Sequence, residues 1–247
     1  MNPRPGADGR CYLIVNADDF GQSAGVNRGI IQAHEQGILT SASLMVRWPH
    51  AGEAASYARG NASLGVGIHI DLGEWAFRDG EWVRLYSVVD EGDPTAVEQE
   101  VSSQLAAFRR LMGRDPTHID SHQHVHRREP ARSIVSQIAG TLGVPLRDLD
   151  ARVRYCGNFY GQDDTGAALP EGITADALVG ILSGLEPGFT ELCCHPAAEP
   201  DLDTMYRLER LQELASLCDP HVRDAVGAMG IELCSFSRVG STPAKSQ

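Results

Sequence analysis

Seven short apolar runs alternate along this chain with stretches of helical periodicity, and that alternation limits the fold more than any single motif. The runs cover 11–15, 40–46, 64–72, 117–121, 144–147, 190–194 and 231–236, each of strand length. Helical spacing falls at 26–36, 53–58, 95–112, 131–142, 174–185, 204–217 and 221–229. In the third of these the apolar positions are Val97, Val101, Leu105, Phe108 and Leu111, one side of a long amphipathic helix. Gly37 and Gly143 stand where two helices would close. Short apolar strands separated by helices predict a parallel sheet with crossover connections. About seven such units without an internal linker predict a closed or nearly closed β/α barrel.

At 247 residues and 42% hydrophobic content the chain is long enough for one barrel-sized domain. That domain is expected over 11–238, with a flexible start at 1–10 and a flexible tail at 239–247. The formal charge of -12 and a pI near 5.1 argue against nucleic acid or an anionic membrane as partner, because phosphate binding needs clustered Lys and Arg. A neutral substrate fits better. No apolar run reaches the roughly 18 residues of a membrane span, and M-N-P-R-P-G-A-D-G-R lacks the apolar centre of an export signal, so a cytoplasmic protein is expected. Six cysteines without C-x-x-C pairs suggest reduced, mostly buried thiols, and no zinc held by thiolates is expected.

Active sites of β/α barrels gather at the carboxyl ends of the strands. Four polar clusters of this chain fall there: 16–21 (N-A-D-D-F-G), His69 with Asp71, 118–126 (H-I-D-S-H-Q-H-V-H) and His195-Pro196. If 118–126 is extended, His118, Asp120, His122, His124 and His126 all crowd one face. Burying several imidazoles beside a carboxylate costs several kcal/mol unless a metal ion or a proton-transfer role relieves it. A partly solvated histidine cluster is the structural alternative. One carboxylate and two imidazoles from separate strands would hold a divalent ion and leave positions open for water and substrate. Adjacent Asp18 and Asp19 point apart, so one is free to bind metal while the other acts as base. Helix capping is the plainer role for either. His195 is placed to protonate a leaving amine, or is simply held by the Pro196 turn. Arg147 is suited to a bidentate grip on a carboxylate, or to an ordinary salt bridge. Trp75, Phe77, Trp82 and Tyr86 flank Asp79-Gly80, a tight-hairpin signal, and offer either a wall for a sugar ring or a staple. The glycine-rich stretch 155–166, which contains Tyr160, reads as a long functional loop or lid.

The motifs N-A-D-D-F-G (16–21), G-I-H-I-D-L (67–72), T-H-I-D-S-H-Q-H-V-H (117–126) and C-H-P (194–196), in this order, resemble those of the YdjC-like carbohydrate deacetylases. The resemblance spans about residues 11–236. It implies a distorted β/α barrel of about seven parallel strands, one divalent ion (Mg²⁺ or Zn²⁺) and a homodimer. The implied reaction is hydrolytic removal of an N-acetyl group from an amino sugar or glycoconjugate. By position, Asp19, His69 and His122 match the metal ligands, Asp18 the base, and His195 the acid. Arg147 matches an arginine near that base. Trp75, Tyr160 and His124 are the residues expected to face the substrate. Two positions depart from the pattern: Asp71 adds a carboxylate after His69, and Ala197 follows C-H-P where glycine is usual. A metal-dependent phosphoesterase and a non-catalytic metal- or sugar-binding protein are the rival readings. The first would normally want several cations near the phosphate, and the second a coordinatively closed ion.

Overall fold

The structure, a computed structural model, describes residues 9–240; of the flexible ends expected at 1–10 and 239–247, residues 1–8 and 241–247 lie outside the described residues. The chain opens with β1 (Cys11–Phe20), α1 (Ala24–Gln36), β2 (Ser41–Leu44), α2 (Ala51–Gly60) and β3 (Gly65–Ile70). A hairpin of β4 (Gly73–Arg78) and β5 (Glu81–Ser87) precedes α3 (Pro94–Met112), β6 (Ile119–Ser121), α4 (Ala131–Leu142) and β7 (Val153–Cys156). Then come α5 (Ala175–Ser183), β8 (Gly188–Cys194), α6 (Glu209–Leu217), α7 (Pro220–Ala228), β9 (Glu232–Leu233) and a terminal turn of helix, α8 (Ser237–Gly240). Val239, assigned to the tail from sequence, is buried within this last turn.

Seven parallel strands form one curled sheet in the order β6-β3-β2-β1-β8-β7, with β9 also on β1. β9 pairs with Tyr12 and Leu13 at the start of β1, while β2 pairs with it from Asn16 onward. β1 shows how sequence sets the layers, because its side chains alternate between the two faces. Leu13, Val15 and Ala17 join the large core shared with helix residues such as Val26 and Ile30. Tyr12 and Ile14 point the other way, into a smaller cluster with Val153, Phe189 and Phe236. Asn16 and Asp18 continue that inner row, so the interior changes from apolar to polar towards the carboxyl ends of the strands. Glycines on β3 make room for this filling: a Cβ on Gly67 would lie 2.5 Å from the His118 ring.

Two expectations about this region are corrected. The run 144–147 contributes a single parallel bridge, Ile119 to Leu146, instead of a strand; Pro145 has no amide hydrogen to extend the ladder. The seventh strand is β7, which follows it. The segment 118–126 is not extended throughout. It leaves β6 after Ser121 into tight helical turns over His122–Arg127, with Gln123 and His124 in the left-handed region (φ 47° and 53°). Its histidines therefore part company. His118 stacks on Phe236 in the interior, and His126 bonds to the Ser121 hydroxyl at 2.6 Å, whereas His122 and His124 reach the mouth of the barrel.

Candidate active site

The carboxyl ends of the strands surround a cavity of about 310 Å³ lined by Asp18, Asp19, His69, His122, His124 and His195 among others. β1 ends in an irregularity between Ala17 and Phe20, where Asp19 takes a left-handed φ of 66°. This twist is why two neighbouring aspartates both reach the site. Asp18 keeps the inner face of the strand, and Asp19 turns along the mouth.

Asp19 Oδ1 lies 3.4 Å from His69 Nε2 and 3.2 Å from His122 Nδ1. Its Oδ2 accepts from Arg210 of α6 at 2.6 Å. A tetrahedral ion with bonds of about 2.0–2.1 Å would space its ligands about 3.3 Å apart, which both separations from Asp19 match, and all three donor atoms lie within 4.8 Å of one another. Each imidazole also has a carboxylate on its far nitrogen, as metal-bound histidines require. Asp120 Oδ1 accepts from His69 Nδ1 at 2.7 Å, and Glu74 lies 3.7 Å from His122 Nε2. Burial by itself would raise the Asp19 carboxyl, but Arg210 and the two histidines hold it well below the carboxylate range. Burial would lower His69, yet Asp18 and Asp120 outweigh it and hold the ring well above the ordinary value. Against burial, Asp19 and Glu74 push His122 up to about 9. Three carboxylates thus surround two imidazoles, and without an ion it is protons on His69 and His122, together with Arg210, that balance them.

Asp18 has a different environment. Arg147 donates to both of its oxygens at 2.6 Å, and the same guanidinium reaches Glu191 and Asp120. Burial raises the Asp18 carboxyl, Arg147 and His69 lower it, and the net shift is downward. Arg147 does not line the cavity; it lies behind Asp18, fully buried. On the opposite side His195 places Nε2 3.8 Å from Asp18 Oδ2 and Nδ1 3.9 Å from Glu213 Oε1. Glu213 also accepts from the His195 amide and from the Tyr206 hydroxyl. Burial pushes His195 down to about 4, so its ring rests neutral.

The three residues expected to face the substrate all line the cavity. Trp75 sits on β4 with Arg84 over its ring at 4.5 Å, and Tyr160 stacks on Tyr206 at 4.3 Å. His124 meets the Tyr155 hydroxyl at 3.3 Å, and burial pushes its ring down to about 3. The middle of the stretch 155–166 is anchored to the segment before α6 and to α6 itself, while 163–165 are exposed. Its Gly161 amide donates to Tyr206, Gln162 reaches Met205 and Glu209, and Phe159 is buried. Asp71, the unexpected carboxylate, points away from the centre and accepts from Trp48 and Tyr86. Sequence reasoning gave no role to Asp120, Glu74, Glu191, Arg210 or Glu213. Glu191 had a readable signal, since Glu191 and Cys193 alternate along β8 and His195 follows it in the same parity. Arg210 and Glu213 had none beyond their helical spacing.

The same curled parallel sheet with helices outside it is found in solved structures of other proteins. A putative cellobiose-phosphate cleavage protein from Enterococcus faecalis V583 superposes with a TM-score of 0.71 at 26% identity, over 93% of this chain and 99% of that one. A family 4 carbohydrate esterase from Streptomyces lividans shares the fold at a TM-score of 0.52 and 15% identity, over 92% of each chain. The model of the family described as YdjC-like protein matches residues 12–228, and the chain belongs to that family. It is 34% identical to a carbohydrate deacetylase of Geobacillus stearothermophilus, over 91% of this chain and 96% of the relative. It is 32% identical to a chitooligosaccharide deacetylase of Salmonella schwarzengrund (strain CVM19633), over 91% and 97%.

Proposed function

We propose that this protein is a metal-dependent carbohydrate deacetylase that hydrolyses the N-acetyl group of an amino sugar or glycoconjugate. The observation that carries the reading is the division of labour between two adjacent carboxylates. Asp19 faces His69 and His122, while Asp18, gripped by Arg147, faces His195 across the cavity. Asp19, His69 and His122 would hold a Mg²⁺ or Zn²⁺ ion, which would supply Lewis acidity towards the acetamide carbonyl and make a bound water more acidic. Asp18, kept as a carboxylate by Arg147, takes a proton from the attacking water. His195 rests neutral, so the proton it gives to the departing amine is one gained during the turnover. Asp18 Oδ2, 3.8 Å from Nε2, is placed to pass that proton on. Trp75 and Tyr160 offer aromatic faces to the sugar ring, and His124 faces it from the turn after β6. The guanidiniums of Arg147 and Arg210 are bonded to Asp18 and Asp19, which leaves a neutral substrate favoured over a phosphate ester. The reading includes a homodimeric, cytoplasmic protein, which sedimentation velocity and cell fractionation test.

The decisive experiment incubates purified protein with an acetylated chitobiose and Mg²⁺, or Zn²⁺ at a single equivalent, and follows loss of one acetyl unit by mass spectrometry. Asp18→Asn is expected to keep its metal and lose about 10²–10⁴ in turnover, the usual weight of general base catalysis. Asp19→Ala is expected to lose metal and activity together. Normal turnover by Asp18→Asn would remove Asp18 as the base.

A further inference from the structure

Beyond the Asp19, His69 and His122 set, a second group of metal-type donors faces the same cavity. Asp18, Cys193 and His195 bring a carboxylate oxygen, a sulfur and an imidazole nitrogen within 4.8 Å of one another. The register of β8 against β1 causes this. Cys193 pairs with Asn16, and its side chain lies on the same face as Asp18, where Sγ approaches Asp18 Oδ2 at 3.5 Å. Cys194 points the other way and donates to the Asn16 carbonyl.

We propose that Asp18, Cys193 and His195 form a second metal site that takes soft divalent ions, Zn²⁺ or Cd²⁺ but not Mg²⁺, and that filling it inhibits the enzyme. Zinc bonds of about 2.3 Å to sulfur and about 2.0–2.2 Å to oxygen set those ligands about 3.5 Å apart in a tetrahedron. The 3.5 Å Asp18–Cys193 separation matches, and the 3.8 Å Asp18–His195 separation needs a shift of a few tenths of an ångström. His195 presents Nε2 to the site, while Nδ1, which has no hydrogen-bond partner, faces Glu213 at 3.9 Å. Closing that gap would complete the carboxylate–imidazole–metal arrangement that orients a histidine ligand. Oδ2 of Asp18 retains a lone pair beyond the one that Arg147 uses. Binding releases the Cys193 thiol proton to solvent, and the thiolate it leaves makes the site select soft ions. The cysteine spacing gave no hint of such a site, because two of its three ligands come from other motifs.

The binding stands by itself, whereas the inhibition rests on the roles of Asp18 and His195 proposed above. The test titrates the full-length protein with Cd²⁺, counting bound metal by mass spectrometry and following the near-ultraviolet thiolate-to-cadmium band. The wild type is expected to take one more equivalent than Cys193→Ser and to gain the band as its turnover is lost. Cys194→Ser is expected to keep both, and Mg²⁺ to give neither. Loss of a ligand should cost at least as much as loss of an outer-shell partner, so the half-inhibitory Cd²⁺ concentration should rise about tenfold or more in Cys193→Ser. Equal stoichiometry and equal bands in wild type and Cys193→Ser would overturn the site. Binding without inhibition would instead overturn the inhibitory claim, and with it the roles given to Asp18 and His195.

Discussion

Arg147 is the residue whose environment is least tolerant of change, since one buried guanidinium bonds to Asp18 and Glu191 and reaches Asp120 within 2.9 Å. Removing one partner of a buried ionic network leaves charges without compensation and costs about 3–5 kcal/mol. Arg147→Met is therefore expected to lose that much in urea denaturation, together with activity. A loss below about 1 kcal/mol would show that the carboxylates find water instead. Burial pushes Glu191 up to about 7 even with Arg147 bonded to it. Gly67 is constrained differently, by space. An added methyl would lie 2.5 Å from the ring that Ser43 and Phe236 hold in place. Gly67→Ala is expected to lower stability by about 1–3 kcal/mol, the usual cost of overpacking, read from its denaturation midpoint. At this scale the sequence was a good guide. Asp18, Asp19, His69, His122 and His195 converge as the motifs suggested. Spacing could not say that Asp120 and Glu74 would stand behind the two imidazoles, because those contacts depend on which strand neighbours which.

The hairpin of β4 and β5 is tied to the turn after β6 through the side chain of Gln123. Gln123 lies in the left-handed region, and its amide both accepts from the Trp75 amide at 2.9 Å and donates to the Trp75 carbonyl at 2.7 Å. It acts as a short piece of strand for a hairpin that the main sheet does not reach. Two such bonds are worth about 1 kcal/mol or slightly more in total. Gln123→Ala is therefore expected to raise KM roughly five- to tenfold through misplacement of Trp75, with kcat within about twofold. A fall in kcat at constant KM would place Gln123 in the chemistry instead. Among the elements, those with local signals were legible. α4 spans Ala131–Leu142 and closes on left-handed Gly143, as read from sequence, and α3 starts from Asp93 capping the Thr95 and Ala96 amides with Pro94 in the first turn. The failures have tertiary causes. The run 144–147 has an apolar pattern but only one residue of ladder, and β7 is a strand because β8 offers it an edge. The turn over His122–Arg127 defeats a period-of-two reading by means of two left-handed residues that carry side chains.

For the molecule as a whole, metal and fold are coupled, since an ion bound only by the folded state stabilises it by mass action. At an ion concentration about 100 times Kd that amounts to about 2.7 kcal/mol, or roughly 5–10 °C in Tm for a chain of this size. Dialysis against a chelator is expected to lower Tm by that amount and added Mg²⁺ to restore it, while Asp19→Ala should show no response to Mg²⁺. An unchanged Tm on chelation would argue against a bound ion. Among the described residues no helix is long and apolar enough to cross a membrane. The sequence alone determined the parallel β/α architecture and the strand ends that carry the chemistry, because alternation, helical period and capping act over a few neighbouring residues. Only the tertiary structure decided the roles of individual groups. The register of β8 on β1 sets Cys193 beside Asp18, the path of α6 brings Arg210 and Glu213 to Asp19 and His195, and Arg147 reaches across the barrel interior. Charge, burial and distance between remote segments govern such contacts, and no local pattern encodes them.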